Sequence, residues 1–475
     1  MATDIIARGM AAGIDKMVIG ALGYVTPEMF GAEGNGITDD SDAIDECFNS
    51  NKFVHLKNNA IYLVKRHIDI NASNIVVYGN NATIKIDYTC ETNNPTFTFY
   101  NKATIKDVEF KCTTLSRNGG VSFVDVTTND TVIDGCVFFG FGLYGVLNCS
   151  TVINTLFEKC CLLTNGNNDG NGYYFSGRND VLIDKCTFIC YGGGDEYDHA
   201  IYCGGSYYSN IRITNNTVIL KTESTSFGAL LNICGSANEI QDNCIISGNY
   251  IDFSKSKVNY QAALALSLKN SIVSNNIIVA AKNVGSASLY IVDAENVIIT
   301  NNIIKNNLIS LSKGNGITIT NNTIGASIRL YGDNVETLQN ITIKNNDITG
   351  SITAPDKYFK NATISSNKIK GSIYFLYGVV CSNILIRDNY IDSKDKSFGI
   401  VIGKYNDVLV ERNTVISNSN GDVNTRGIVF HWDYSSLRTN CICKDNYVQN
   451  TKGEDYYLVN VVSINNIGKN NTIVT

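Results

Sequence analysis

One short phrase recurs until the chain runs out, and it constrains the fold more than any other feature. In the C-terminal half it reads VIITNNII (297–304), ITITNNTI (317–324), ITIKNNDI (341–348), ATISSNKI (362–369), ILIRDNYI (384–391) and VLVERNTV (408–415). Successive starts lie 20, 24, 21, 22 and 24 residues apart. IRITNNTV (211–218) and SIVSNNII (271–278) belong to the same series, and TVIDGCVF (131–138) and VLIDKCTF (181–188) put Cys where the others have Asn. Self-similarity at such a period is the signature of a stacked array.

Each unit is too short and too β-branched to be a pair of helices. Its first, third and eighth positions are apolar, and the first and third share a face, as the two-residue period of a strand requires. The Asn or small residue at the sixth position marks the bend, because a short amide tolerates unusual backbone angles and bonds local backbone groups. Stacked coil on coil, these amides are expected to form a ladder inside the solenoid. The fold read from the pattern is all-β, a single-stranded right-handed parallel β-helix. A leucine-rich repeat would need Leu at fixed offsets and a helix in each unit, and neither is visible. About fifteen or sixteen coils at the strand spacing of ~4.8 Å predict a rod of roughly 75 Å.

A solenoid core grows in one dimension, so 475 residues need not divide into globular domains. Three prolines suit a continuous hydrogen-bonded ladder. The net charge of −6, with no basic cluster, argues against a nucleic-acid partner. No run of eighteen apolar residues exists to span a membrane. Residues 1–24 read as a weakly amphipathic attachment helix rather than a signal peptide. The fifteen cysteines show no paired CxxC zinc spacing; Cys136 and Cys186 take the inward ladder position as small hydrophobes. Reduced thiols in a cytoplasm are therefore expected, and no metal or cofactor site is read from the chain.

Residues 25–52 prepare the solenoid. Gly31, Gly34 and Gly36 break the chain, Asp40 or Ser41 can cap a helix, and Ile44, Cys47 and Phe48 give that helix one apolar face. A short helix laid over the first coil would close the exposed end. The β-helix then occupies 53–475. The stretch Phe30-Gly-Ala-Glu-Gly-Asn-Gly-Ile-Thr-Asp-Asp-Ser-Asp-Ala-Ile resembles the opening motif of the pectate-lyase-like superfamily of phage tailspikes and related polysaccharide-degrading β-helix proteins. It departs from that motif at Asn35 and Ser41. The resemblance implies a capping helix followed by a β-helix, a homotrimer held to phage tail or baseplate proteins through its N-terminus, and a bacterial surface polysaccharide as target. It also implies a virion location after synthesis in the host cytoplasm. The fold hosts hydrolases, lyases, epimerases and adhesins alike, so activity must be argued from a site.

The densest polar cluster falls on two successive coils. Asn167-Asn168-Asp169-Gly170 precedes NGYYFSG (171–177), and Asp195-Glu196-Tyr197-Asp198-His199 precedes AIYCGG (200–205). Aligning NGYYFSG with HAIYCGG brings Asp169 beside Glu196 and Asp198, with His199 at the edge, because neighbouring coils lie ~4.8 Å apart. Carboxylates so packed cannot ionise equally, which suits a general acid beside a base or nucleophile. Asp169 with Glu196 or Asp195 is the expected pair, and Tyr173, Tyr174, Tyr191, Tyr197 and Tyr202 could form sugar platforms. The cluster has a partial likeness to polygalacturonases: Asn167-Asn168-Asp169 and Asp195-Glu196 follow that family's order, whereas its Gly-His-Gly is absent. Arg212 reads as an outward strand residue. Pectate lyases use Ca²⁺ with an Arg or Lys base, and the only basic residue near the cluster is Arg178, so hydrolysis is favoured over elimination.

A second group joins Arg426, His431 and Trp432, which suit a saccharide by stacking and charge-assisted hydrogen bonds. The plainer alternatives are solvated turns for the first cluster and a Trp-covered loop for the second. The chain thus reads as a depolymerising receptor-binding protein. A non-catalytic adhesin or structural tail component of the same fold is the alternative, and a cellular lyase or epimerase comes third.

Overall fold

The computed structural model describes residues 23–50, 53–88, 96–112, 121–123, 131–140, 143–146, 151–160, 173–176, 179–191, 199–204, 208–223, 231–233, 240–257, 263–281, 287–330, 338–354, 359–393, 398–417, 425–430, 440–450, 453–469 and 471–474. The chain forms two compact units, Met1–Leu230 and Leu231–Thr475. Each is a right-handed parallel β-helix, the hand expected for parallel crossovers between L-residues. Among the described residues no helix is long and apolar enough to cross a membrane.

The first unit has a 3-10 turn, Pro27–Phe30, a strand, Asn35–Asp39, and then an α-helix, Ser41–Phe48, the helix being the element the motif predicts. Ala43, Ile44, Cys47 and Phe48 are its buried face, and the Phe48 ring lies 6.2 Å from that of Phe97. Asp40 precedes the helix, but its side chain does not cap it. Its carboxylate instead accepts the backbone N–H groups of Glu33 (2.8 Å), Gly34 (3.3 Å) and Leu63 (3.4 Å), tying the glycine loop to the first coil. Gly34 has φ +62°, and a Cβ there would lie 3.1 Å from Ala60 and 3.2 Å from Tyr62, so glycine is required both for its angle and for its size.

Strand then stacks on strand in register. Phe53–His55 is followed by Ile75–Ile86, Ala103–Cys112, Val132–Asp134, Thr151–Ile153, Leu182–Asp184 and Arg212–Thr214, each paired in parallel with the next. Arg212 is exposed beside the buried Ile213, the outward place expected of it. One inward column consists of Phe110, Phe138, Phe157 and Phe188, all wholly buried, with ring centroids 5.2, 5.2 and 4.5 Å apart in nearly parallel planes. The coil spacing sets that stacking distance.

In the second unit the predicted ladder is present. Asn249, Asn276, Asn302, Asn322, Asn346, Asn367, Asn389, Asn413, Asn446 and Asn466 form one file, each Nδ2 donating to the next Oδ1 at 2.9–3.0 Å. In the first unit Cys186 takes that place, its thiol donating to the Val152 carbonyl at 3.4 Å and its N–H bonding Asn216 Oδ1 at 2.9 Å. The repeat's first, third and eighth residues are core, as in Val297, Ile299 and Ile304. One detail corrects the sequence reading. The left-handed angle belongs to the fifth residue (Asn275, Asn301, Asn321 and Asn345 at φ 56–57°), not to the sixth, which turns inward to bond. A second left-handed residue, most often Asn, stands just before the repeat; Asn296 donates to Asn270, and Asn383, Asn361, Asn340 and Asn315 form an outer file of amide bonds.

Candidate functional site

Two coils of the first unit stack as the repeat alignment requires. Tyr173–Ser176 pairs with Ile201–Gly204 so that Tyr173 meets Ile201, Tyr174 meets Tyr202 and Phe175 meets Cys203. On the other side Tyr144 meets Tyr174. Ile201, Cys203 and Phe175 are wholly buried and Tyr202 is half-exposed, so position 202 lies on the outward column, in register with 174 and 144. Tyr173 is level with a core position. His199 is 4% exposed, its ring stacked on Tyr202 at 4.8 Å and 19°. Tyr191 is half-buried at the close of its strand. Asp169, Arg178, Asp195, Glu196, Tyr197 and Asp198 lie outside the described residues.

The order of residues fixes what this stack can present. Parallel coils repeat the same side of the chain every ~4.8 Å, so positions 144, 174 and 202 share one register. Just beyond these strands, Asn179 Oδ1 accepts the Ser209 N–H at 2.8 Å, and Asn210 donates to Asp180 at 2.7 Å, so adjoining turns are locked coil to coil.

The second unit holds Arg426, at the start of Arg426–Phe430. Its Nε donates to Glu454 Oε2 at 2.9 Å, the pair being in strand register, and its guanidinium lies 4.0 Å from the Tyr457 ring centroid. Thr472 donates to the other Glu454 oxygen at 2.5 Å. A planar cation held between a carboxylate and a ring face keeps its remaining N–H groups oriented. His431 and Trp432 lie outside the described residues.

Sequence reasoning missed Glu454 and Tyr457, and with them a register column in which Ser310, Val401 and Val429 are buried. Tyr290, Ser310, Arg329, Thr353 and Tyr374 stand at one register position of successive coils, followed by Val401, Val429 and Tyr457. The Tyr374 ring stacks with Phe398 at 6.3 Å and 20°, and burial pushes its phenol above the usual range. These strands lie in the variable loop half of each repeat, so no recurring phrase marks them. Counting back from the Asn anchor of each coil is the signal that would have found them. Among the described residues no group of His, Cys, Asp and Glu is placed to hold a metal ion.

No family profile matches this chain, and no curated protein does. Among solved structures, tailspike protein 3 of bacteriophage CBA120 aligns over 76% of this chain at 12% identity and a TM-score of 0.42. The chain spans 57% of that protein's length. The phi29 gene product 12 aligns over 96% of this chain and 76% of its own, at 12% identity and a TM-score of 0.42. The surface adhesin PfbA of Streptococcus pneumoniae aligns over 76% of this chain and 90% of its own, at 16% identity and a TM-score of 0.40. The likeness extends no further than the course of the backbone.

Proposed function

We propose that this protein is a tailspike-like receptor-binding protein of a phage virion that binds and hydrolyses a bacterial surface polysaccharide. The observation that supports it most is the register of Tyr174 on Tyr202, which stacks the coil following Asp169 on the coil following Asp195–Asp198. In this reading one of Asp169, Glu196 and Asp195 protonates the glycosidic oxygen and a second acts as base or nucleophile, their separation deciding between inversion and retention. Asp198 and His199 complete the polar edge of the site. Tyr173, Tyr174, Tyr197 and Tyr202, with Arg178, bind sugar rings there, and Arg426, His431 and Trp432 form a separate saccharide contact. Residues 1–24 attach the protein to the tail or baseplate, and three copies assemble. No cofactor takes part.

The test is release of reducing ends from purified host surface polysaccharide by wild type, Asp169→Asn, Asp195→Asn and Glu196→Gln. A hydrolase gives product that at least one variant lowers by 100-fold or more. Product absorbing as an unsaturated uronide would make the protein a lyase. Binding without product in every sample would leave a receptor-binding rod with no enzymatic step.

A further inference from the structure

The turn that carries the asparagine ladder breaks its own rule over three coils of the second unit. The left-handed place held by Asn275, Asn301, Asn321 and Asn345 passes to Asp388 (φ +57°), Arg412 (φ +52°) and Asp445 (φ +54°). Asn and Asp take that angle readily, whereas a long side chain is disfavoured there, so nothing in the fold asks for arginine. Arg412 is nevertheless held firmly. Its Nε and Nη2 donate to the two Asp388 oxygens at 2.8 and 3.2 Å, and its Nη1 lies 2.9 Å from Glu411 Oε1. Lys444 Nζ lies 3.2 Å from the other Glu411 oxygen, and Arg387 Nε lies 3.8 Å from Asp388. Two residues after the left-handed place, past the inward Asn389, Asn413 and Asn446, Tyr390, Thr414 and Tyr447 stand in one register. Tyr390 and Tyr447 are 41% and 44% exposed, and the smaller Thr414 is half-buried between them.

The geometry points to a saccharide-binding site on this face, made of residues other than those described above. Two coil spacings set the tyrosine backbones about 10 Å apart. That span seats consecutive sugars of one glycan, a ring face stacked on each phenol, while the small Thr414 leaves room for the linkage between them. On the middle coil Arg412, fixed by two carboxylates, keeps its remaining N–H groups oriented towards sugar oxygens, and Asp388 accepts from sugar hydroxyls. The charges choose the class of ligand. Arg387, Arg412 and Lys444 stand among Asp388, Glu411 and Asp445, three of each sign, so the face has no net attraction for a polyanion such as nucleic acid or an acidic glycan. A neutral stretch of glycan laid across the coils is what it fits. The inference rests on the glycan target of the proposed function, but neither on hydrolysis nor on the Arg426 contact.

The test is retention of the full chain on an array of neutral and acidic bacterial surface oligosaccharides, comparing wild type, the double variant Tyr390→Ala, Tyr447→Ala, and Arg426→Ala. Wild type is expected to be retained by at least one neutral glycan longer than a monosaccharide, and the double variant to bind it at least tenfold more weakly. Both substituted side chains are exposed, so circular dichroism and melting temperature are expected to stay close to wild type. Should the double variant not fold, nitration of wild type by tetranitromethane reports directly. Labelling of Tyr390 and Tyr447 is expected to fall at least fivefold when the same glycan is bound, whereas Tyr24, 40% exposed in the first unit, is labelled as before. Unchanged binding by a folded double variant, whether or not Arg426→Ala weakens it, would overturn the inference and leave the glycan reading standing. Retention of acidic glycans alone would do the same. No retention of any oligosaccharide would sink both.

Discussion

Asn322 carries most of what this fold asks of a residue. Its Nδ2 donates to Asn346 Oδ1 and to the Ile299 and Thr320 carbonyls, all at 3.0 Å, while its Oδ1 accepts the N–H of Asn302 at 2.8 Å. Asn322→Ala leaves several of these buried groups without partners and is expected to cost about 3 kcal/mol in urea unfolding. The preceding Asn321 is held at φ +57° with only its backbone committed. Asn321→Gly is expected to be neutral within about 0.5 kcal/mol, and Asn321→Val to cost about 1–2 kcal/mol. Equal losses at both positions would show that the two asparagines are not divided between conformation and hydrogen bonding as described. The buried thiols give a second residue-scale outcome. Burial pushes Cys136 and Cys443 up to about 12, so each remains protonated when folded and ionises more readily when unfolded. The stability this contributes is complete below the unfolded thiol's value near 9 and is lost as pH rises towards about 12. Cys136→Ala should flatten that alkaline decline in a denaturation series, and a decline of unchanged slope would remove Cys136 as its source.

At the scale of elements, the parallel register turns one choice of side chain into a column. Phe157 lies between Phe138 and Phe188 with no exposed surface, so Phe157→Ala opens a cavity between coils and is expected to cost about 3–5 kcal/mol. The helix Ser41–Phe48 was legible down to its buried face, because an amphipathic helix writes its orientation into spacing. The role of Asp40 was not, since its partners at Glu33, Gly34 and Leu63 come together only through the folded loop. Arg426 illustrates the same limit. Its partners, Glu454 and Tyr457, arrive from the next coil. Arg426→Ala is expected to weaken saccharide binding about tenfold, and Glu454→Gln, which frees the guanidinium, to change it in the same assay without loss of fold. Binding indifferent to both substitutions would remove this cluster from the contact surface.

At the scale of the molecule, both units are built by the same rule, and nine cysteines among the described residues are buried free thiols within it. Cys47, Cys136 and Cys443 are free thiols, raised by burial, so alkylation of native protein at pH 8 is expected to leave their peptides unmodified while unfolded protein is labelled fully. The solenoid, its inward ladder and its opening helix were readable because a periodic fold repeats its constraint in every coil. A candidate site has no such redundancy. The alignment of Tyr174 on Tyr202 could be counted from the repeat anchors, and the strands pair that way. The burial of His199 against Tyr202 could not, because it depends on how a side chain outside the repeat phrase packs.

The sequence by itself therefore determined the class of fold, the alternation of inward and outward positions, and the register that stacks one coil on the next. Tertiary structure alone decided which asparagine takes the left-handed angle, which carboxylate pairs with Arg426, and that Ile272, Ile298 and Ile303 face water. The physical reason is that periodicity is a property of near neighbours along the chain. Exposure, ion pairing and the fine division of labour within a turn are set by atoms 20 or more residues away, which meet only when the coils have closed.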